Sequence, residues 1–255
     1  MDSALTVQRR VIFALMMNEM HTIYGTTTLG YLWALIQAIW GILVFWGMRI
    51  AMNFTPPHGT NTMLFLIAGF GVYNTFSSVL NRCLNTPSCR ASILTYPQVT
   101  PVDLYLARTI IMWATQIVAC FLIVLVGSIF GIPCYLGNIG GFFCVLTLTP
   151  LMGMGLGIMF GSLSVLWTPL SRIITMLMRI LMFASAVFYS AMSIPSAAMK
   201  YAWYNPVLQL VEWCRVCLSN GYTTIDYNPF YLLLCTITSL CLGLLFERYV
   251  RGKDS

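Results

Sequence analysis

The sequence has 255 residues, of which 59% are hydrophobic and only 8% are charged. Soluble domains carry about 25% charged residues, so the composition excludes an ordinary soluble globular protein. It also excludes a disordered chain and a small disulfide-stabilised scaffold. The net charge of +6 and the mean hydropathy of +0.82 are typical of a membrane protein that crosses the bilayer several times.

A helix is predicted at the N-terminus, over residues 4 to 22. Arg9 and Arg10 precede the apolar run from Val11 to Met17, a pattern that resembles a secretory signal peptide. The run is only seven residues long, and no small-residue cleavage site follows it. We therefore interpret this segment as an amphipathic helix lying along the membrane surface.

Six apolar runs are long enough to cross the membrane as helices. An α-helix rises about 1.5 Å per residue, so about 30 Å of hydrocarbon requires around 20 apolar residues. Polar, proline-containing or glycine-containing stretches bound each run. The predicted spans are residues 29–52, 61–80, 104–130, 139–165, 173–193 and 230–246.

The distribution of basic residues predicts the orientation of these spans. Ten basic residues lie near the ends and loops assigned to one side, and three near those assigned to the other. The ten are Arg9, Arg10, Arg82, Arg90, Arg108, Arg172, Arg179, Arg248, Arg251 and Lys253; the three are Arg49, Lys200 and Arg215. Because cytoplasmic loops carry the excess of Lys and Arg, both termini are expected in the cytoplasm.

The segment 194–229 is too apolar for a solvated loop. Apolar residues repeat at helical spacing from Val207 to Leu218, while Gln209, Glu212 and Arg215 form a polar stripe. Twelve residues rise only about 18 Å, which does not span the membrane. We predict a short re-entrant helix in the outer leaflet, starting at Asn205-Pro206 and ending near Asn220-Gly221.

Catalytic constellations are missing from the sequence. Neither of the two lysines stands in a P-loop motif, and the two histidines, His21 and His58, are assigned to opposite sides of the membrane. No carboxylate falls in the middle of a predicted span, which also disfavours ion-coupled transport. We expect a chain that is not an enzyme.

A single CxxC pair, Cys214 and Cys217, provides no support for a zinc site, because no second pair or nearby histidine accompanies it. We expect no metal and no cofactor in this chain.

Three sequence segments in the correct order resemble a known family. The first joins residues 18–25 (NEMHTIYG) to residues 29–33 (LGYLW), the second is Val99-Thr100-Pro101, and the third runs from Phe188 through Asn205-Pro206 to Glu212 and Arg215. These segments resemble the permeases of type-2 ATP-binding cassette (ABC) exporters, in particular those that move capsular polysaccharide and O antigen. The resemblance covers nearly the whole chain, which we treat as one transmembrane domain, residues 1–255.

The resemblance implies an all-α membrane subunit with six transmembrane helices. An amphipathic interface helix would precede the first span, a cytoplasmic coupling helix would follow the second, and a re-entrant outer segment would precede the last. It implies a homodimer in the inner membrane of a Gram-negative bacterium, bound to two copies of a separate ATPase that holds ATP and Mg²⁺. The substrate would be a lipid-linked, often acidic polysaccharide, passed on with the help of periplasmic and outer-membrane capsule export proteins.

Candidate functional residues follow from this interpretation. Contact with the ATPase is assigned to the segment Asn85 to Gln98 and the N-terminal helix, with Glu19, His21, Arg90 and Tyr96 as the named residues. A polysaccharide path requires aromatic rings for the sugar faces. The candidates are Trp33, Trp40, Trp46, Tyr73, Phe76, Phe188 and Tyr189, although core packing or an interfacial belt explains each of them as well.

Basic and outer-segment residues complete the set of candidates. Arg49, Arg172 and Arg179 are candidate contacts for anionic groups of the substrate, with snorkelling to the interface as the alternative. Asn205, Pro206, Glu212 and Arg215 would build the outer re-entrant helix, with Glu212 and Arg215 paired at i, i+3. Alternative functions are the export of a small drug or modified lipid, and gradient-driven secondary transport without an ATPase.

Overall fold

The computed structural model describes residues 4–24, 62–87, 100–129, 137–219, 222 and 226–254, together with the isolated positions 36, 40, 43, 44 and 47. Helices dominate these residues, and no strand occurs among them. In chain order the helices are α1 (Ala4–Tyr24), α2 (Thr62–Leu84), α3 (Pro101–Ile129), α4 (Ile139–Leu166), α5 (Pro169–Ala184), α6 (Ser196–Ala202), α7 (Pro206–Leu218) and α8 (Pro229–Asp254). A short 3₁₀ turn, Ala191–Ser193, lies between α5 and α6.

Helix α1 packs beside α3 through one side of its surface. Leu15 is buried against Leu104 and Ala107, while Phe13 and Met17 are exposed. The helix predicted over residues 4 to 22 is therefore present, and it continues to Tyr24. Its position along the membrane surface stays a prediction.

Four helices, α2, α3, α4 and α8, are long and apolar enough to cross a membrane. They correspond to the predicted spans at 61–80, 104–130, 139–165 and 230–246, with α8 extending eight residues further to Asp254. The predicted first span, 29–52, lies outside the described residues except for the isolated helical positions within it. Six spans therefore stay a prediction, whereas four candidate spans are present.

Close packing of α4 against α2 depends on glycines at every fourth position. A Cβ on Gly157 would lie 2.6 Å from the Cβ of Cys83, and one on Gly153 would lie 2.9 Å from the carbonyl oxygen of Phe76. Side chains never approach so closely, so only glycine allows the two backbones to lie this near each other. These contacts also show that α2 and α4 run in the same direction.

The predicted span 173–193 is wrong at both ends. Helix α5 begins at Pro169, a favourable first helical position because proline has no N–H to leave unpaired, and it ends at Ala184. The chain then turns, with Ala186 at a φ of 51°. Sixteen residues rise about 24 Å, less than the thickness of the hydrocarbon core.

Contacts with α2 fix the depth of α5. Tyr73, the middle residue of α2, donates a hydrogen bond to the carbonyl oxygen of Met178 on α5. Beyond the end of α5, a Cβ on Gly69 would lie 2.6 Å from the carbonyl oxygen of Val187, so the backbone there packs directly against α2. Helix α5 thus ends while α2 still continues for about two turns beyond it.

Two short helices, α6 and α7, follow this turn. Asn205 caps α7 by accepting a hydrogen bond from the Val207 N–H, and Pro206 is its first helical residue. Helix α7 ends at Leu218, and nearly all its side chains are buried against α2 and α4. The start predicted at Asn205-Pro206 is confirmed, while the end predicted at 220–221 falls on positions that are not described.

Candidate functional site

An ion pair lies buried in α7. The Nη1 atom of Arg215 is 2.7 Å from Oε1 of Glu212, and both side chains are almost completely inaccessible to solvent. The i, i+3 spacing places the two groups on one face of the helix. Because an unpaired buried charge is very costly, the removal of either side chain would leave the other charge uncompensated.

Arg215 also holds the backbone that follows α5. Its Nη2 atom donates to the carbonyl oxygens of Ala186 and Val187, each at 2.8 Å, and Nη1 donates to that of Tyr189 at 3.1 Å. The guanidinium carbon lies 3.6 Å from the centre of the Phe65 ring on α2. One side chain therefore joins α7, α2 and the chain reversal after α5.

Glu212 is satisfied by two further donors. The N–H of Ala191 donates to Oε1 at 3.3 Å, and the hydroxyl of Tyr222 donates to Oε2 at 2.9 Å. Burial, together with the carboxylate of Glu212, raises the pKa of Tyr222 to about 12. The phenol therefore stays protonated at physiological pH and remains a donor to the carboxylate.

A second buried ion pair joins α1 to α3. Arg108 of α3 contacts both carboxylate oxygens of Glu19, with Nε–Oε1 at 2.9 Å and Nη2–Oε2 at 3.2 Å. Its Nη1 atom donates to Oγ1 of Thr86 at 2.8 Å and to the carbonyl oxygen of Arg82 at 3.3 Å. Glu19 is only 2% exposed, so its carboxylate is not a surface group for direct contact with a partner.

A smaller polar contact lies beside this pair at the start of α3. Asp103 accepts hydrogen bonds from the N–H and the hydroxyl of Thr100, at 3.0 and 2.6 Å. Its other oxygen accepts one from Gln8 of α1 at 3.3 Å. Helix α1 is therefore attached to α3 at two points, and the second point also caps α3.

The other predicted ATPase-contact residues are not placed by the structure. His21 lies on α1, but its side chain is not among those described, and Arg90 and Tyr96 lie outside the described residues. Of the segment 85–98, only residues 85–87 are described, directly after α2. The coupling helix stays a prediction.

Three of the predicted aromatic path residues that the structure describes, Tyr73, Phe76 and Phe188, belong to one core cluster. Tyr73 and Phe76 are buried in the core between α2 and its neighbours, Phe188 packs edge-on against Phe70, and the hydroxyl of Tyr189 donates to the carbonyl oxygen of Phe183. Trp40 is 64% exposed, whereas Trp33 and Trp46 lie outside the described residues. Neither Tyr73 nor Phe76 reaches a surface of the chain that a polysaccharide could contact.

The predicted anion contacts lie on α5 and on the first predicted span. Arg172 and Arg179 are both exposed on α5, and Arg49 lies outside the described residues. Arg179 stands ten residues after Pro169 and next to Met178, level with the middle of α2. Arg179 therefore stands within α5 and not at either of its ends, and its assignment to the cytoplasmic side stays a prediction.

No cluster of three or more potential metal ligands occurs among the described residues. Cys214 and Cys217 are both buried and carry free thiols. Among the described residues, one buried ion pair connects α1 to α3 and another connects α7 to the backbone after α5. Both pairs connect separate segments of the chain.

The sequence matches the family described as ABC-2 type transporter over residues 10–219. This chain belongs to that family. Members of the ABC-2 family are membrane subunits, and the ATPase that drives them is a separate partner. The apolar helices and the buried ion pairs described above are thus those of an ABC-2 membrane subunit.

Three relatives of this ABC-2 chain match it almost from end to end. The polysialic acid transport protein KpsM of Escherichia coli is 27% identical, covering 96% of this chain and 95% of the relative. The capsule polysaccharide export inner-membrane protein CtrC of Neisseria meningitidis serogroup A is 27% identical over 98% and 95%. The corresponding protein BexB of Haemophilus influenzae is 25% identical over 96% and 92%.

Sequence reasoning did not find Arg108, Thr86 and Tyr222. Arg108 was counted only as a topological charge, although an arginine eight positions into an apolar helix is a signal that it has a partner. Thr86 and Tyr222 carry no such signal, because hydroxyl residues near helix ends are common. Their roles in this ABC-2 subunit depend on contacts between residues far apart in the chain.

Proposed function

We propose that this chain is the inner-membrane permease subunit of an exporter that moves a lipid-linked capsular polysaccharide from the cytoplasm to the periplasm. The observation that carries the proposal is the end-to-end similarity to one polysialic acid transport protein and two capsule polysaccharide export proteins, from three bacterial species. A drug or lipid exporter of the ABC-2 family would share the fold, but none of these relatives is named as one.

In this proposal the permease acts as a homodimer with two copies of an ATPase and with both termini in the cytoplasm. The ATPase is expected to contact residues 85–98 and α1. The buried pair of Glu19 and Arg108 supports this mechanism, because it fixes α1 to α3 and thereby transmits a movement of α1 into the membrane. Glu19 then acts by positioning α1, since it is buried away from any partner.

Deletion of the gene in the source bacterium, followed by complementation, tests the proposal. We expect the deletion strain to accumulate polysaccharide inside the cell, and the plasmid-borne chain to restore it at the surface. Purification of the tagged chain in mild detergent should recover an ATPase subunit and ATP hydrolysis. Recovery of the chain without an ATPase, or unchanged surface polysaccharide in the deletion strain, would overturn the proposal.

A further inference from the structure

Arg179 lies at a depth where an exposed charge is unusual. Its neighbour Met178 accepts a hydrogen bond from Tyr73, which stands eleven residues from either end of α2. Eleven residues correspond to about 16 Å, half the thickness of the membrane core. Arg179 is nevertheless exposed on the surface of the chain.

A charged side chain at the membrane centre is costly when it faces lipid. Charged residues at this depth therefore face a water-filled cavity or the interior of a bundle, where they mark the path of a substrate or an ion. Glu212 and Arg215 lie in the interior of the helix bundle, where they are paired with each other and buried. Arg179 is exposed on the single chain, so in the membrane it must face either water or another chain.

The exposed surface of α5 has two different sides. Residues at a spacing of three, four or seven share a face of a helix, which places Arg172, Thr175, Met176 and Arg179 along one stripe. All four are exposed, and so is Phe183, which continues the stripe one turn after Arg179. The exposed residues Ile173, Leu177 and Ile180 form a separate, wholly apolar side. The apolar side is suited to lipid, and the stripe with two arginines is suited to water.

We propose that this stripe lines a water-filled path and that Arg179 binds the negatively charged groups of the transported polysaccharide, so that the permease selects acidic chains. This inference rests on the proposed function. A guanidinium binds carboxylate and phosphate groups through two parallel hydrogen bonds, which suits it to carboxylated sugars and to phosphodiester linkages alike. Arg172, seven residues earlier, offers a second contact about 10 Å closer to the start of α5.

Cysteine labelling tests whether the stripe faces water. In the permease with its ATPase, Arg179→Cys should react with a membrane-impermeant thiol reagent at least tenfold faster than Leu177→Cys on the apolar side, after subtraction of the native cysteines. Oligosialic acid should slow the Arg179→Cys reaction, whereas a neutral dextran of the same length should not. Equal, slow labelling of both positions would overturn the proposal. A disulfide between two Arg179→Cys chains in place of labelling would also overturn it, because the disulfide would place Arg179 at an interface between copies.

Export by charge variants tests selection. We expect Arg179→Gln to reduce surface polysaccharide at least tenfold and Arg179→Lys to retain part of the export. Arg251→Gln, which removes an exposed charge at the end of α8, should leave export unchanged. All three variants should still copurify with the ATPase.

Failure of this inference is distinguishable from failure of the proposed function. If the unmodified chain binds no ATPase, the proposed function is wrong. If the unmodified chain exports polysaccharide with its ATPase, but Arg179→Gln exports equally well, only the role of Arg179 is wrong.

Discussion

Replacing Arg215 by methionine should strongly destabilise the packing of α7 against α2 and the backbone after α5. The substitution leaves the carboxylate of Glu212 buried without its cation, and it leaves the carbonyl oxygens of Ala186, Val187 and Tyr189 without their shared donor. Removing one partner of a buried ion pair costs about 3 to 5 kcal/mol. Glu212 keeps its hydrogen bonds from Ala191 and Tyr222, which favours a loss at the lower end of that range. The three carbonyl oxygens lose their donor, which favours a loss at the upper end.

Thermal unfolding of the purified permease in detergent measures this effect. For a chain of this size, 3 to 5 kcal/mol corresponds to a decrease in Tm of roughly 10 °C. Arg248→Met, which removes an exposed arginine from α8, is the matched control and should leave Tm nearly unchanged. The double variant Arg215→Met/Glu212→Met should recover part of the loss, because it leaves no uncompensated buried charge.

Two results would refute this reasoning. If Arg215→Met unfolds within about 2 °C of the unmodified protein, the ion pair does not hold the backbone after α5 as described. If the double variant is less stable than the single variant by the full effect of Glu212→Met alone, the two side chains are independent, contrary to their 2.7 Å contact.

The remaining predictions concern the other end of the molecule, helix packing and pH. Glu19→Gln should decrease polysaccharide export about tenfold while ATP hydrolysis by the complex continues. Arg108→Met should have the same effect. Loss of ATP hydrolysis together with export would contradict a coupling role for this pair. Gly157→Ala should lower the free energy of unfolding by about 1 to 3 kcal/mol, because the new Cβ would lie 2.6 Å from the Cβ of Cys83 on α2. Gly140→Ala is the control and should have little effect, since a Cβ there has no neighbouring atom nearer than 3.6 Å. Tyr222→Phe should lower the free energy of unfolding by about 1 kcal/mol. Because the pKa of Tyr222 is raised to about 12, the contribution of its hydroxyl to stability should be constant from pH 6 to 9. It should decrease only as the pH rises above the ordinary tyrosine pKa of about 10, where the unfolded chain begins to lose the proton.

The long helices could be predicted from the sequence because the membrane imposes one length on every span. Helices α2, α3, α4 and α8 follow apolar runs whose ends are marked by polar residues, proline or glycine. Helix α7 was found for a related reason, since Asn205 and Pro206 are local signals for a helix start. These features depend on neighbouring residues only.

The end of α5 could not be predicted in this way. The residues from Ala184 to Tyr189 continue the apolar run, with one serine among them, and nothing local stops the helix. The chain turns where Arg215, 29 residues after Ala186, draws the carbonyl oxygens of Ala186 and Val187 toward its guanidinium. Gly69 provides the space for that backbone against α2. The boundary is therefore set by contacts between distant parts of the chain.

The same reason explains which charges were interpreted correctly. Glu212 and Arg215 are close in sequence, so their helical spacing indicates the pair, whereas Glu19 and Arg108 are 89 residues apart and share no local pattern. Arg179 was assigned to a helix end because its depth depends on where α5 begins and on which residue of α2 lies beside it. Among the described residues, Arg108 and Arg215 each have a carboxylate partner inside the chain. Arg179 is instead exposed beside the middle of α2, where we propose that an anionic group of the substrate binds it.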